Sequence, residues 1–393
     1  MSDDTVVIVS GARTPMGGLL GSLSAMSAVE LGSQAIKAAI ERAGIAPEII
    51  DEVIMGNVLS AGLRQGPARQ AALNAGIPAS AGCVTVNKLC GSGMQASMYA
   101  YDAIKSGSAE VVLAGGMESM TNAPHIVMGA RSGVGTGSKG FEDHMFFDGL
   151  EDASTARPMG SFAQETADKN GLTREQMDEF AITSLKRAQA AIEAGDLTDE
   201  ITPVTVKTRR SETVVTDDEQ PLKAKLDKIP SLRPAFAKDG TITAANASSI
   251  SDGASALIFM SESKAKAMGL PILARVLGHS RYSQAPSEFT LSPIGATKKL
   301  LDKVGWKTTD VDIYEINEAF AMVTLLAMKE LDLNPENVNV FGGACAQGHP
   351  IGSTGSRLLV TLINALKKKG KTKGVASLCI GGGEATAMAI ELV

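Results

Sequence analysis

The sequence predicts an α/β protein in which one strand–helix unit occurs twice, with a separate segment inserted into the first copy. Three observations carry that expectation. Residues 41–56, ERAGIAPEIIDEVIMG, resemble residues 302–317, DKVGWKTTDVDIYEIN. Both read as the end of a helix, a short loop, an acidic residue and a strand, with Gly44 matching Gly305 and Asp51 matching Asp312. Residues 109–119, AEVVLAGGMES, resemble 375–386, VASLCIGGGEAT, again strand, glycine turn and glutamate. The stretch from about Thr121 to Ala247 has no counterpart and shifts in composition, with glycine and serine dense in GARSGVGTGSKG and charge dense in VKTRRSETVVTDDEQPLKAKLDK. A repeat spaced by about 260 residues is too long for a solenoid. Alternating strands and helices in each copy imply two similar domains with largely buried sheets.

Each element follows in chain order. VVIVSGARTP and ILARVLGHSR are the opening strands of the two copies. VNKLCGSGMQASM runs from a strand through glycines into a helix, on which Met94, Met98, Tyr101 and Ile104 recur with helical spacing. Its counterpart VNVFGGACAQGHPIGSTGSRLL does the same, with Leu358, Leu359, Leu362, Ile363 and Leu366 as the apolar stripe. Inside the insertion a helix is expected from Thr173 to Ala194, opened by a Thr173/Gln176 capping box and stopped by Gly195. ASALIFM then reads as a strand returning to the first domain. The expected domains are 1–120 with 247–270, the insertion 121–246, and 271–393.

Composition narrows the functional classes. A chain of 393 residues, 44% hydrophobic and 20% charged, is that of a globular protein with a sizeable core. A formal charge of −6 argues against a nucleic-acid coat, so an anionic ligand needs a local basic patch. The start enters a β-like run at Thr5, leaving no room for a secretory or transit leader, and no stretch nears ~18 apolar residues. Four cysteines without CxxC spacing imply reduced thiols in a cytoplasmic setting. No paired ligand spacing suggests a metal, and no resident cofactor is expected.

Four residues fall at the ends of expected strands or in the turns after them, where α/β folds place reacting groups: Cys90, Asn317, His349 and Cys379. Taken singly, each has an ordinary structural explanation: a buried thiol, a helix cap, a loop imidazole, a core cysteine. Cys90 is set where a strand turns into a helix, and a thiol at a helix N-terminus ionises more easily than a free one of pKa about 8.5. Cys83 and Cys345 read as structural, and His125, His144 and His279 lie off the repeated strand ends. The GSG and GSTGS turns offer a weak phosphate-cradle signal, without P-loop lysine or dinucleotide fingerprint.

Taken together, NKLCGSGMQA, GGMESM, NASSISDGA, NEAFA, GHPIGSTGSR and CIGGGEATA, in that order, resemble the thiolases, acetyl-CoA C-acyltransferases, over essentially the whole chain. The resemblance implies a layered α-β-α-β-α core with an inserted loop domain that binds coenzyme A. It implies Cys90 as the nucleophile that takes an acyl group from a CoA thioester, His349 as the group that activates it, and Cys379 as the acid–base for the α-proton. One oxyanion hole would use His349 and a water held by Asn317, the other the N–H groups of Cys90 and Gly381. The glycines of GSG would clear space for an acyl-pantetheine arm. Ser248, Leu150, Met159, Phe236 and Ala244 match pantetheine-side positions, with Phe289 and Phe320 at the acyl end. Lys223 stands where the family often has arginine, with Arg209, Arg210 and Lys225 as further charge.

The implied reaction is reversible condensation of two acetyl-CoA to acetoacetyl-CoA and CoA, in a homotetramer joined through the loop HIVMGARSGVGTGSKGFEDHMFFDGL. Several departures bear on substrate. Pro158 replaces a histidine before Met159, Gln347 stands before GHP, and Thr290 follows Phe289 where branched-chain-tolerant members have proline. The retained Met159 favours a short acyl pocket. Rival readings are a thiolase for longer or 2-methyl-branched 3-ketoacyl-CoA, a ketoacyl synthase, a cysteine thioesterase and a non-catalytic CoA-binding protein. Cys379 argues against the synthase, which offers a second histidine there, and a thioesterase has no need of a second thiol.

Overall fold

The computed structural model describes residues 4–209 and 211–393. The first copy supplies strands β1 (Val6–Arg13), β2 (Glu52–Gly56), β3 (Gly82–Val86), β4 (Val111–Ser119) and β5 (Ser251–Ser261). The second supplies β6 (Ala274–Ser283), β7 (Ile313–Ile316), β8 (Lys373–Ile380) and β9 (Glu384–Leu392). The first half is ordered β3-β2-β4-β5-β1 and the second β7-β8-β9-β6. β1 and β6 pair antiparallel, Val6 with Val276 through Ile8 with Ala274, so both halves join edge to edge in one ten-stranded sheet that includes the short strand Gly17–Gly18. In the first half β2 runs parallel to β4 and β5 antiparallel to it; in the second β7 runs parallel to β8 and β9 antiparallel to it.

The duplication extends to single hydrogen bonds. Asp51 Oδ2 accepts from the N–H groups of Glu110 and Val111, at 2.8 and 2.9 Å. Asp312 Oδ2 accepts from those of Thr372 and Lys373, at 3.1 and 2.9 Å. Gly44 and Gly305 end their helices at φ 65° and 70°, left-handed positions that glycine adopts without a Cβ penalty.

One expected strand is absent. VNVF pairs beside β7 only through the isolated bridge Tyr314–Val338. The reason is Asn339, whose φ of 48° turns the backbone out of the sheet. Its side-chain amide replaces the ladder, Oδ1 accepting from Ile316 N–H at 2.8 Å and Nδ2 donating to Ile316 O at 2.9 Å.

Helix α1 (Ala28–Ala43) and α2 (Pro67–Asn74) cover the outer face of the first half-sheet, and α6 (Ser292–Val304) with α7 (Ala321–Leu331) the outer side of the second half. Between the half-sheets lie α3 (Ser92–Ser106) and α8 (Thr354–Lys369), packed on each other and on strands of both copies. This is the five-layered α-β-α-β-α core. The central strands β4, β5 and β8 are buried on both faces, so their burial does not alternate along the strand.

The insertion folds over this core. Its α4 (Met159–Lys169) leads to α5 (Arg174–Glu193), which carries the expected Thr173/Gln176 capping box and is followed by Gly195 at φ 70°. The chain then returns through β5, which pairs along its length with β4 and β1.

Candidate active site

Cys90 lies in a tight turn between β3 and α3. Ser92 Oγ accepts from Lys88 N–H at 2.8 Å and donates to Leu89 O at 2.6 Å, closing the turn. Leu89 is held at φ 48°, costly for a branched side chain, and such strain gathers at functional sites. α3 starts at Ser92 with Gly91 as its N-cap.

The helix N-terminus does not by itself ionise the thiol. Burial pushes Cys90 up to about 11, against the lowering effect of N–H groups from Gly381 and Cys90 itself. The expectation of an easily ionised sulfur is therefore corrected: desolvation outweighs the favourable N–H groups, and the thiol keeps its proton at rest.

That sulfur is met from the second half of the sheet. Cys379, fully buried, is the penultimate residue of β8, and Gly381 follows the strand. Burial and the neighbouring Cys90 raise the Cys379 thiol far above its ordinary value. Both thiols are thus neutral at rest and close enough to influence each other.

His349 and Asn317 complete the group. Asn317 comes directly after β7, with its N–H donating to Ser377 O of β8 at 3.0 Å. Its Nδ2 faces His349 Nε2 at 3.5 Å. His349 is pinned by its own backbone N–H, which reaches Ser249 O at 3.1 Å and Ser251 Oγ at 3.3 Å. Its Nδ1 lies 2.6 Å from Thr354 Oγ1 at the start of α8. Burial, reinforced by the Arg357 guanidinium, lowers His349 to about 3, so the ring is neutral.

The Cys90 and His349 loops are brought side by side by close contact between the N-termini of α3 and α8. A Cβ on Gly355 would lie 2.3 Å from Met94 N, and one on Gly93 would lie 2.6 Å from Ser356 Oγ. The glycines of GSG and GSTGS therefore serve contact between the halves. Gly91 likewise faces Ile380, where a Cβ would come within 2.3 Å. This corrects two expectations: these buried turns offer no open phosphate cradle, and GSG clears room for the other half of the protein rather than for an acyl arm.

Around Cys379 gathers an apolar cluster that includes Met159, Phe236, Phe289, Phe320 and Phe162. Met159 also approaches Gly381, its Sδ standing 3.3 Å from where a Cβ would project. Phe236 meets Phe320 edge-on, with centroids 6.1 Å apart, and its ring covers Gly160. Leu150 lies on the other side, in a cluster with Leu89, Cys90 and Ile351.

A cavity of about 220 Å³ opens beside the insertion, lined by Ala244, Ser249, Gln220, Lys225, Lys228 and Cys345 among others. Ala244 and Lys225 from the sequence reading are thus in one cavity. Ser248 is adjacent, its N–H donating to Ala319 O at 2.9 Å. Lys223 is not among the lining residues; its Nζ pairs with Glu219. Arg209 sits in the turn between the strands Val204–Lys207 and Glu212–Val215, apart from this cavity, and Arg210 lies outside the described residues.

Sequence reasoning missed Lys228, which the cavity places beside Lys225, because its charge is one of several in KAKLDK. It also missed Thr354 and Glu118. Glu118 accepts from the N–H groups of Val58, Leu59 and Gly352 at 3.0, 3.1 and 2.9 Å, and so ties the His349 loop to the end of β2. The glutamate in GGMES was the only signal for it.

Comparison with known proteins agrees with this architecture. Residues 6–263 match the thiolase N-terminal domain and residues 270–392 the thiolase C-terminal domain. Acetyl-CoA acetyltransferase 2 of Arabidopsis thaliana is 50% identical over 99% of this chain and 97% of its own. The acetyl-CoA acetyltransferase of Cupriavidus necator is 47% identical over 98% and 99%. The solved acetyl-CoA acetyltransferase of Bacillus anthracis superposes with a TM-score of 0.97 at 42% identity, covering 99% of each chain. The Acat5 thiolase of Ascaris suum, solved in complex with coenzyme A, gives 0.94 at 42%, covering 99% of this chain and 100% of its own. With both domain families matched end to end and relatives of this identity along the full chain, the protein belongs to the thiolase family.

Proposed function

We propose that the protein is an acetyl-CoA C-acetyltransferase, interconverting two acetyl-CoA with acetoacetyl-CoA and CoA through an acyl-Cys90 intermediate. The observation that carries this is the meeting of two thiols, Cys90 and Cys379, from opposite halves, with Gly381 N–H directed at the Cys90 sulfur. A hydrolase needs one thiol and a water; carbon–carbon bond formation needs a nucleophile and a separate base for a carbon acid.

In the condensation direction, Cys90 Sγ bonds to the acetyl carbon as its proton passes to His349 Nε2. The C–S bond to CoA breaks, and the departing sulfur takes the Cys379 proton. The Cys379 thiolate then removes the α-proton of a second acetyl-CoA. The resulting carbanion attacks acetyl-Cys90, and the released Cys90 sulfur recovers its proton from His349. Every group is back in its starting state. Asn317 and His349 on one side, and the N–H groups of Cys90 and Gly381 on the other, are suited to hold the two oxyanions.

Met159, Phe289 and Phe320, packed with Cys379, favour a short acyl group. The cavity with Lys225 and Lys228 suits the anionic nucleotide end of CoA, with Ala244 and Ser248 on the approach. Association into a homotetramer fits the outer edge of β3, which ends the sheet with Val84 exposed, and Met128, Val134 and Phe141 on the 121–150 segment. Four free cysteines fit a reducing, cytoplasmic compartment, and no described helix is long and apolar enough to cross a membrane.

The test is CoA-dependent loss of acetoacetyl-CoA absorbance, run beside 2-methylacetoacetyl-CoA and a medium-chain 3-ketoacyl-CoA. Fast turnover of the short substrate is expected, with Cys90→Ala lowering it by at least about a thousandfold. Loss of thioester without CoA would instead identify a hydrolase, and comparable turnover of the medium chain would move the substrate class to longer acyl groups.

A further inference from the structure

The His349 ring is held at both nitrogens, and the two contacts agree on where its proton lies. We propose that the Thr354 hydroxyl is the positioning group that keeps the proton on His349 Nδ1, leaving Nε2 as the base that faces the substrate side. This deepens the function proposed above and rests on it for the role of the base.

Thr354 Oγ1 lies 3.0 Å from Pro350 O, which can only accept, so the hydroxyl proton is directed there. The oxygen is then free to accept, and the atom it faces, at 2.6 Å, is His349 Nδ1. This is shorter than the ~2.9 Å usual for N–H···O. At the other end, Nε2 faces Asn317 Nδ2 at 3.5 Å, and an amide nitrogen is a donor. A donor there fits a bare Nε2 and would clash electrostatically with an N–H.

The arrangement matters because the ring is 6% exposed, so water does not readily replace a lost partner. Arg357, three residues along the same helix, places positive charge near the ring and opposes its protonation. When Nε2 takes the Cys90 proton, the Thr354 oxygen is the neighbour that stabilises the imidazolium at Nδ1. Thr354 sits in the first turn of α8, so the helix contact that brings the halves together also orients the base.

The experiment is alkylation of Cys90 by iodoacetamide, followed by mass spectrometry between pH 6 and 9 in the full-length wild type, Thr354→Val and Thr354→Ser. Alkylation needs the Cys90 proton removed as the sulfur attacks, but none of the thioester chemistry. The valine variant keeps shape without the oxygen, and its rate at pH 7 is expected to fall about 10- to 100-fold. Its rate is also expected to climb more steeply with pH than that of wild type, because the hydroxide route then carries the share of proton removal that His349 provides in wild type. The serine variant, with the oxygen but not the methyl group, is expected to stay within about threefold of wild type.

A valine variant as reactive as wild type with the same pH profile would overturn the inference, as would a serine variant as slow as valine. Acetoacetyl-CoA thiolysis is measured in parallel. A wild type that alkylates normally but shows no thiolysis would defeat the proposed function, while the valine–serine comparison would still decide the role of Thr354.

Discussion

Cys90 and His349 are displaced in opposite directions by the same cause. Burial raises the thiol to about 11 and, with Arg357, lowers the imidazole to about 3. The thiol is protonated below its value and the imidazole unprotonated above its own, so neither group titrates across the neutral range. Single-turnover acetylation of Cys90 by acetyl-CoA is therefore expected to be flat from about pH 5 to 9. A rapid-quench series with mass detection checks it, and a sigmoid rise near pH 6–7 would show that His349 titrates normally. The four groups were legible because each falls in a motif of the duplicated pattern, although His349 follows the short helix Ala344–Gln347 rather than a strand. Their protonation states were not, since desolvation depends on what surrounds a side chain after folding.

At the level of elements, the contact between α3 and α8 carries the site. Gly355 lets α8 approach the backbone of Met94, and Met94 N would stand 2.3 Å from an added Cβ. Gly355→Ala is expected to cost about 1–3 kcal/mol by overpacking, and to lower activity beyond the loss of folded protein because Cys90 and His349 move apart. Urea denaturation and specific activity of the folded fraction measure the two effects. An alanine variant with unchanged stability would show that the helices have slack. Sequence periodicity placed both helices correctly, yet the glycines were read as room for substrate. One chain segment does not show which partner approaches it, and the contact joins residues some 260 positions apart. The absent third strand of the second copy has a similar origin: VNVF has strand character, but the Asn339 side chain satisfies Ile316 more locally than a full ladder would.

For the whole molecule, the insertion is fastened to the duplicated core by buried charge. Arg13, 1% exposed at the end of β1, donates to Asp218 at 2.7 and 2.9 Å and to Glu200 at 2.5 Å. Asp218 also accepts from Met16 N–H at 2.8 Å, and Glu200 from Thr361 and Asn364 of α8. Arg13→Met is expected to destabilise by about 3–5 kcal/mol, because two carboxylates remain buried without their cation. Equilibrium denaturation checks it, and a loss below about 1 kcal/mol would mean that the carboxylates find water or protons instead. The tetramer is a prediction at this scale too: light scattering is expected to give about four times the 40.6 kDa chain mass, and a monomeric mass would defeat it.

The sequence by itself determined the duplication and the α/β class, and it singled out Cys90, Asn317, His349 and Cys379. These rest on local signals: period, capping, glycine turns and the repetition of all of them. Tertiary structure decided which thiol faces which, that the imidazole is neutral, that Lys228 joins Lys225 while Lys223 pairs with Glu219, and that Thr354 and Glu118 support the His349 loop. The physical reason is that pKa, cavity lining and close approach depend on atoms supplied by distant segments, and these meet only when the two halves pack around α3 and α8.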